Sequence, residues 1–374
     1  MINSTIQIVH ILNDSKFVNG ALNKYRGAFS NQFIFIETNE KYISDDNTEV
    51  LSFSTSQSDR QKIINICNSS DIIIIYGLDW IKARITRNIN PEIIIIWRFF
   101  GYEIYNERSN LFLSVKTKKI IKLHAINKKK ISSTIKLKKA RSLYRKLIIQ
   151  KNLCKINFII TICNEEYSFL KTLQKKLPQN IVLPISKIDA NPTYPDMSLK
   201  KEKIIIGNSR SNFNNHADIL DITSDYVNNG YEFIIPFNYG QITVYSNTIK
   251  KRIMQLKNHH ILDSFIDFNK YAELFNESSA FILNSKRQLG LGNLFLAIRN
   301  GVKIYLDEEN VIFTWLKKNN IEIYPISAIR KDLETNDITL SEDVANKNIE
   351  ALRALYFKNT NEDYFRKLKE LIYK

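Results

Sequence analysis

The 374-residue chain is long enough for two average domains, and its 44% hydrophobic content supports packed cores and excludes a disordered chain. Lys and Arg exceed Asp and Glu by 16, and that surplus is concentrated between Arg108 and Ile160, where 16 basic residues stand without a carboxylate. Cys67, Cys154 and Cys163 are too few and too far apart for a disulfide framework or a zinc cluster, which fits a reducing compartment.

The start, Met1–Thr5, lacks the basic residues of a signal peptide and leads straight into a strand. No apolar run approaches the ~18 residues of a membrane-spanning helix. A protein of the cytosol or of a membrane surface is expected. Thr5–Leu12 and Phe33–Glu37 read as strands and Ser58–Asn68 as a helix. Asp71–Tyr76 and Ile93–Trp97 are the continuous apolar runs of buried parallel strands. Past the basic segment come a strand at Phe158–Ile162, a helix at Glu165–Leu177 and the closing run Ile181–Pro184. Asp189–Asp196 holds two prolines among turn-forming residues and reads as a linker.

The second half repeats the pattern. Strands are expected at Lys203–Ile206, Glu232–Pro236, His260–Ser264, Ala280–Leu283 and Val302–Leu306. Helices are expected at Asn215–Asn228, Ser246–Gln255, from the cap Asp267 through Phe275, and at Leu294–Ile298. Glu362–Tyr373 places Tyr364, Phe365, Leu368, Leu371 and Ile372 on one stripe, an amphipathic helix that must dock. The expected fold class is therefore α/β, with two Rossmann-like domains whose parallel sheets face a cleft, the GT-B architecture. Residues 1–195 form the first domain and 200–345 the second, with C-terminal helices over 346–374 packing back across them.

Two junctions carry the candidate site. The run Ile204–Ile206 stops at Gly207-Asn208-Ser209 and enters a helical pattern carrying Asn214 and His216. Ala280–Leu283 leads into Arg287-Gln288-Leu289-Gly290-Leu291-Gly292-Asn293 and an apolar helix. Ligands of α/β folds bind at such strand ends. The second loop's free amides and helix dipole favour an anion, and Arg287 adds a full charge, which together suit a phosphate-bearing ligand. The same residues also make ordinary turns and caps, and His216 also fits a structural role. In the first half, Glu103 follows the strand that ends at Trp97, and His10 and Asp14 end the first strand. Either type supplies a base for an acceptor hydroxyl, and Asp14 equally fits a helix cap. The five histidines show no zinc-ligand spacing, so no metal is expected.

Within the basic segment Leu137, Ala140, Leu143, Tyr144, Leu147 and Ile148 share one helical face. Lys136, Lys138, Lys139, Arg141, Arg145 and Lys146 supply charge suited to an anionic membrane surface. The alternative is a solvated helix packed on its own domain. Tyr144 is the one aromatic residue over Lys116–Lys151, so the stacking platforms of a single-strand nucleic-acid binder are missing and no nucleic-acid partner is expected.

These motifs resemble those of the bacterial TDP-4-acetamido-4,6-dideoxygalactose (N-acetylfucosamine) transferases, glycosyltransferase family 56, of enterobacterial common antigen assembly. That family's Gly-Asn-Ser, four residues, Asn, any residue, His is met by Gly207, Asn208, Ser209, Asn214 and His216. Its Pro-x-x-Tyr is met by Pro236 and Tyr239, and its Arg-Gln-x-Gly-x-Gly by Arg287, Gln288, Gly290 and Gly292. Its Glu-Asn after a strand is met by Glu309 and Asn310. Trp97 and Gly101 match a Trp-x-x-x-Gly-x-Asp pattern in which Glu103 replaces the Asp, and His10 and Asp14 match a first-strand pair. The departures are Asn293 for a Thr, Arg98 for a His and a longer basic segment.

The resemblance implies an inverting, metal-independent transferase that needs no cofactor. It would move an N-acetylfucosamine-like sugar from a nucleotide donor, TDP-linked, to a polyprenyl-diphosphate-linked saccharide in surface polysaccharide synthesis. The enzyme would be peripheral on the cytoplasmic face of the inner membrane. Glu103 is the expected base and Asp14 the runner-up. Arg287, Gln288, Gly290, Gly292 and Asn293 would hold the diphosphate, and Glu309 and Asn310 the sugar or ribose. A nucleotide-sugar epimerase or hydrolase of the same fold is the alternative, with a nucleic-acid-binding protein behind it.

Overall fold

The computed structural model describes residues 6–13, 17–25, 27–36, 50–126, 143–185, 193–227 and 229–372. Asp14, Lys136, Lys138, Lys139, Arg141 and the first half of the expected linker lie outside them. The chain forms two compact units that interleave in sequence. The first comprises Met1–Glu107, Ile131–Pro184 and Asn359–Lys374, and the second Arg108–Lys130 and Ile185–Lys358. Instead of the expected single boundary near residue 195, the chain passes from one unit to the other four times.

In the first unit β1 (Gln7–Leu12), β2 (Ser30–Ile36), β3 (Val50–Phe53), β4 (Ile72–Tyr76), β5 (Ile94–Arg98), β6 (Phe158–Thr161) and β7 (Gln179–Val182) form one sheet. Its order is β3-β2-β1-β4-β5-β6-β7, and neighbouring strands run parallel throughout. In the second unit β8 (Lys201–Ile206), β9 (Glu232–Pro236), β10 (His259–Leu262), β11 (Ser278–Leu283), β12 (Lys303–Leu306) and β13 (Tyr324–Pro325) form the other, in the order β10-β9-β8-β11-β12-β13. Both sheets reverse direction of winding at their centre, between β1 and β4 and between β8 and β11, which are the crevices where doubly wound folds take ligands.

The apolar runs explain the central strands. Every residue of β4, β11 and β12 is buried, as helices on both faces of a parallel sheet require. The tail helix Asn361–Glu370 docks on the first unit, where Tyr364 and Leu368 are fully buried and Tyr364 and Tyr25 share a 2.6 Å hydroxyl–hydroxyl bond. The helix Val115–Ile126 docks on the second unit instead, with Ile120 and Ile121 against its core and Lys116 paired with Asp221.

Candidate functional site

In the second unit β8 ends at Gly207, whose φ of +71° favours glycine. A Cβ there would lie 2.8 Å from His216 Nε2 and 3.3 Å from Asn214. The following loop is wound around the Asn214 amide, which is buried. Its Nδ2 donates to Ser209 O (2.9 Å) and Ser209 Oγ (3.2 Å), and its Oδ1 accepts from Asn208 N (3.4 Å). Asn214 and Ser209 therefore hold the loop's shape, and half-buried Asn208 meets the second loop. A Cβ on Gly290 (φ +63°) would come within 3.1 Å of the Asn208 side-chain amide. The two junctions read from the sequence are thus in contact.

His216 opens the helix His216–Thr223 and is fully buried, with neither ring nitrogen hydrogen-bonded. Burial pushes its pKa down to about 3, so the ring is neutral. Arg287 is also buried, its guanidinium 4.4 Å from the Phe213 ring centroid and its Nη1 donating to Gln288 O (3.1 Å). Beyond half-buried Gln288, the helix Leu291–Arg299 starts at Gly290 without a side-chain cap, and Gly292 is exposed. Its first amides are left for an outside acceptor. Asn293 donates to Tyr271 Oη at 2.8 Å. Tyr239 stands exposed on the loop after β9, its carbonyl accepting from Arg210 N (3.0 Å).

Glu309 is exposed and paired with Lys286. Partial burial works against the Lys286 charge, but Glu309, Asp307 and Asp218 together hold its pKa above the ordinary lysine value. Asn310 is fully buried. Its Nδ2 donates to Ser285 O and Arg287 O, both at 2.7 Å, and its Oδ1 caps the helix Val311–Lys318. It fixes the backbone that carries Arg287.

In the first unit Glu103 is half-buried beside the switch point. Its Oε1 accepts from Trp97 Nε1 (3.1 Å), Leu78 N (3.2 Å) and Phe100 N (3.3 Å). Burial outweighs these donors and pushes its pKa up to about 7. His10 lies inside β1 rather than at its end. It is fully buried, stacked 4.4 Å from the Phe33 centroid, and burial lowers its pKa to about 4. Asn31 donates its Nδ2 to Tyr25 O and Phe29 O, so its Oδ1 accepts from His10 Nε2 (3.0 Å). His10 Nδ1 then accepts from the Tyr76 hydroxyl (3.2 Å).

Two residues that sequence reasoning missed hold these crevices together. Lys82 is fully buried, and its Nζ donates to Asn13 Oδ1 (3.0 Å), Tyr76 O (2.6 Å) and Gly77 O (2.8 Å), tying the end of β1 to the end of β4. Asn215, with φ +45°, does the same in the second unit: its Nδ2 donates to Asn284 O and Phe112 O, both at 3.1 Å, and its Oδ1 accepts from Ser114 N (2.8 Å). An asparagine just before a helix pattern was the one available signal for Asn215, whereas Lys82 reads as a solvated helix lysine.

Residues 143–152 are helical. Leu143, Tyr144 and Leu147 of the expected apolar stripe are exposed, at 63%, 59% and 55%. Arg145 lies 5.1 Å from the Trp80 centroid, and Lys146 pairs with Glu107 at 2.8 Å. Here the apolar residues face outward and two of the basic ones are engaged with their own unit. Among the described residues no helix is long and apolar enough to cross a membrane.

The whole chain has the fold of known glycosyltransferases. Sucrose-phosphate synthase from Thermosynechococcus elongatus matches with a TM-score of 0.65 at 10% identity, over 98% of each chain. The E. coli trehalose-6-phosphate structure bound with UDP-2-fluoro glucose matches at 0.62 and 10% identity, over 97% of each chain. A lipopolysaccharide outer core galactosyltransferase in its apo form matches at 0.56 and 14% identity, over 97% of this chain and all of that one. These likenesses establish a GT-B fold. Residues 130–348 match the 4-alpha-L-fucosyltransferase family, glycosyl transferase group 56, and the chain belongs to that family of glycosyltransferases.

Proposed function

We propose that the protein transfers a deoxyamino sugar of the N-acetylfucosamine type from a nucleotide donor, TDP-linked, to a polyprenyl-diphosphate-linked saccharide in bacterial surface polysaccharide synthesis. The observation that carries this reading is the uncapped start of the helix Leu291–Arg299 with Arg287 beside it, at the switch point of a doubly wound sheet. That arrangement suits a diphosphate, and the E. coli structure of similar fold is bound with a nucleotide sugar, UDP-2-fluoro glucose.

In this reading the donor diphosphate accepts bonds from the amides at Leu291 and Gly292 and from Arg287. Neutral His216 and the Gly207 loop line the sugar side, and Tyr239 borders the nucleotide. The acceptor hydroxyl attacks the anomeric carbon from the face opposite the leaving group. Its proton passes to Glu103, the bond to the diphosphate breaks, and the nucleoside diphosphate departs with the electron pair, which inverts the configuration. Developing charge on the leaving group is met by Arg287 and the helix amides, so no metal is required for that step. The outward stripe Leu143, Tyr144 and Leu147 enters the interface of an anionic bilayer at the cytoplasmic face.

The test is a binding and turnover screen of TDP, UDP and their sugars. Nucleoside diphosphates should raise the melting temperature, Arg287→Gln should abolish that rise, and donor should be consumed only when a polyprenyl-diphosphate saccharide is added. Consumption at an equal rate without acceptor would make the protein a nucleotide-sugar hydrolase or epimerase instead.

A further inference from the structure

Immediately after Trp97, at the carboxyl end of β5, Arg98 lies among three aromatic rings. Its guanidinium carbon is 5.2 Å from the centroid of Tyr76, 5.6 Å from Phe100 and 6.0 Å from Phe17. Side chains alternate along a strand, so Arg98 shares the sheet face of Ile94 and Ile96, the face covered by the helices Val18–Tyr25 and Asn361–Glu370. Lys24 belongs to the first of these helices. Its Nζ is 5.6 Å from the Tyr364 centroid and reaches Pro184 O at 3.4 Å.

The hydroxyls nearby are already engaged. Tyr364 and Tyr25 bond each other, and Tyr76 donates to His10. Burial, and after it the Arg98 charge, brings the Lys24 pKa down to about 7, and no carboxylate among the described residues offsets them. Two cations on one face of a sheet, set over rings and without a counter-charge among the described residues, are an arrangement that an anion completes. A planar five-donor fork beside an ammonium suits a group with several oxygens and more than one charge better than a single carboxylate.

We propose that Arg98 and Lys24 form an oxyanion subsite that takes the diphosphate of the lipid-linked acceptor. The assignment of that diphosphate rests on the acceptor class proposed above, whereas the subsite itself does not. The probes are geranyl diphosphate, a soluble short-chain polyprenyl diphosphate, and TDP, each titrated by calorimetry into wild-type protein, Arg98→Gln, Arg98→His, Lys24→Gln and Arg287→Gln. Arg98→His removes the permanent charge in a second way and guards against a misfolded glutamine variant.

The Arg98 and Lys24 variants should each bind geranyl diphosphate about 10- to 100-fold more weakly, the loss of one charge-assisted contact. They should bind TDP as wild type does, and Arg287→Gln should show the converse. Unchanged geranyl diphosphate affinity in folded Arg98 and Lys24 variants would overturn the proposal. So would loss of TDP binding in their place, because Arg98 would then belong to the donor. If Arg287→Gln leaves TDP binding intact, the donor assignment falls while the geranyl diphosphate arm still decides this one.

Discussion

Glu103 is both the proposed base and a source of strain in the fold, and the two roles can be measured together. Its carboxyl titrates at about 7 against an ordinary 4.5, because burial outweighs the bonds from Trp97, Leu78 and Phe100. A native pKa above the unfolded one means the native state holds its proton longer. Stability is therefore fully present below pH 4.5 and falls as pH rises toward 7. One pKa unit corresponds to about 1.4 kcal/mol, so the native state should lose about 2–3 kcal/mol between pH 5 and pH 8.5 from this group alone. Glu103→Gln keeps the shape and an acceptor oxygen but does not titrate. Relative to wild type, the variant should gain about that amount of stability over the same interval. Urea unfolding followed by circular dichroism at the two pH values gives the double difference, free of other titrating groups. The same carboxylate must be ionised to take a proton, so wild-type kcat/KM should climb with pH to a plateau above pH 7. Glu103→Gln should lose about 10²–10⁴ of the rate along with that climb. Parallel stability profiles for the two proteins would refute the burial argument. A variant with near-normal turnover would refute the role of base and return it to Asp14.

Gly207→Ala places a methyl group against His216 Nε2 at a φ of +71°, so it should lower stability by about 1–3 kcal/mol and abolish the thermal shift given by nucleoside diphosphates. Leu143→Ser with Leu147→Ser removes two outward apolar side chains, and binding to vesicles containing anionic lipid should fall while donor binding stays unchanged. Vesicle binding equal to wild type would show that the helix is simply solvated.

The strands were legible because parallel sheets buried on both faces demand unbroken β-branched runs. Glu232–Pro236 is the strand read from sequence residue for residue, and Ile72–Tyr76 differs by one. Val50–Phe53 escaped notice because an edge strand of four residues, none of them buried, needs no such run. The interleaving of the units was not legible for a different reason. Segment Arg108–Lys130 is fixed by Ser114 on Asn215 and Asp218, and by Lys116 on Asp221, about a hundred positions away. Local periodicity carries no trace of such partners.

The candidate residues are of two physical kinds, and the sequence gives no means of sorting them. Asn214, Asn310 and His10 are buried and hydrogen-bonded on both sides of the side chain, so their substitution would act through loop shape. Tyr239, Gly292 and the start of Leu291–Arg299 remain open to a ligand, whose contacts they can make directly. Lys82 and Asn215 extend the first kind. Each is a buried polar side chain beside the point where its sheet reverses winding: Lys82 ties the end of β1 to the end of β4, and Asn215 ties the start of the helix that follows β8 to the backbone just after β11. A reversal leaves a crevice because neighbouring connections depart to opposite faces, and the exposed strand ends there have carbonyls to satisfy. A buried cation or amide satisfies them without filling the crevice as an apolar side chain would. The same solution in both units explains how loops built of turn-forming residues are held firmly enough to present Glu103 on one sheet and Arg287 on the other.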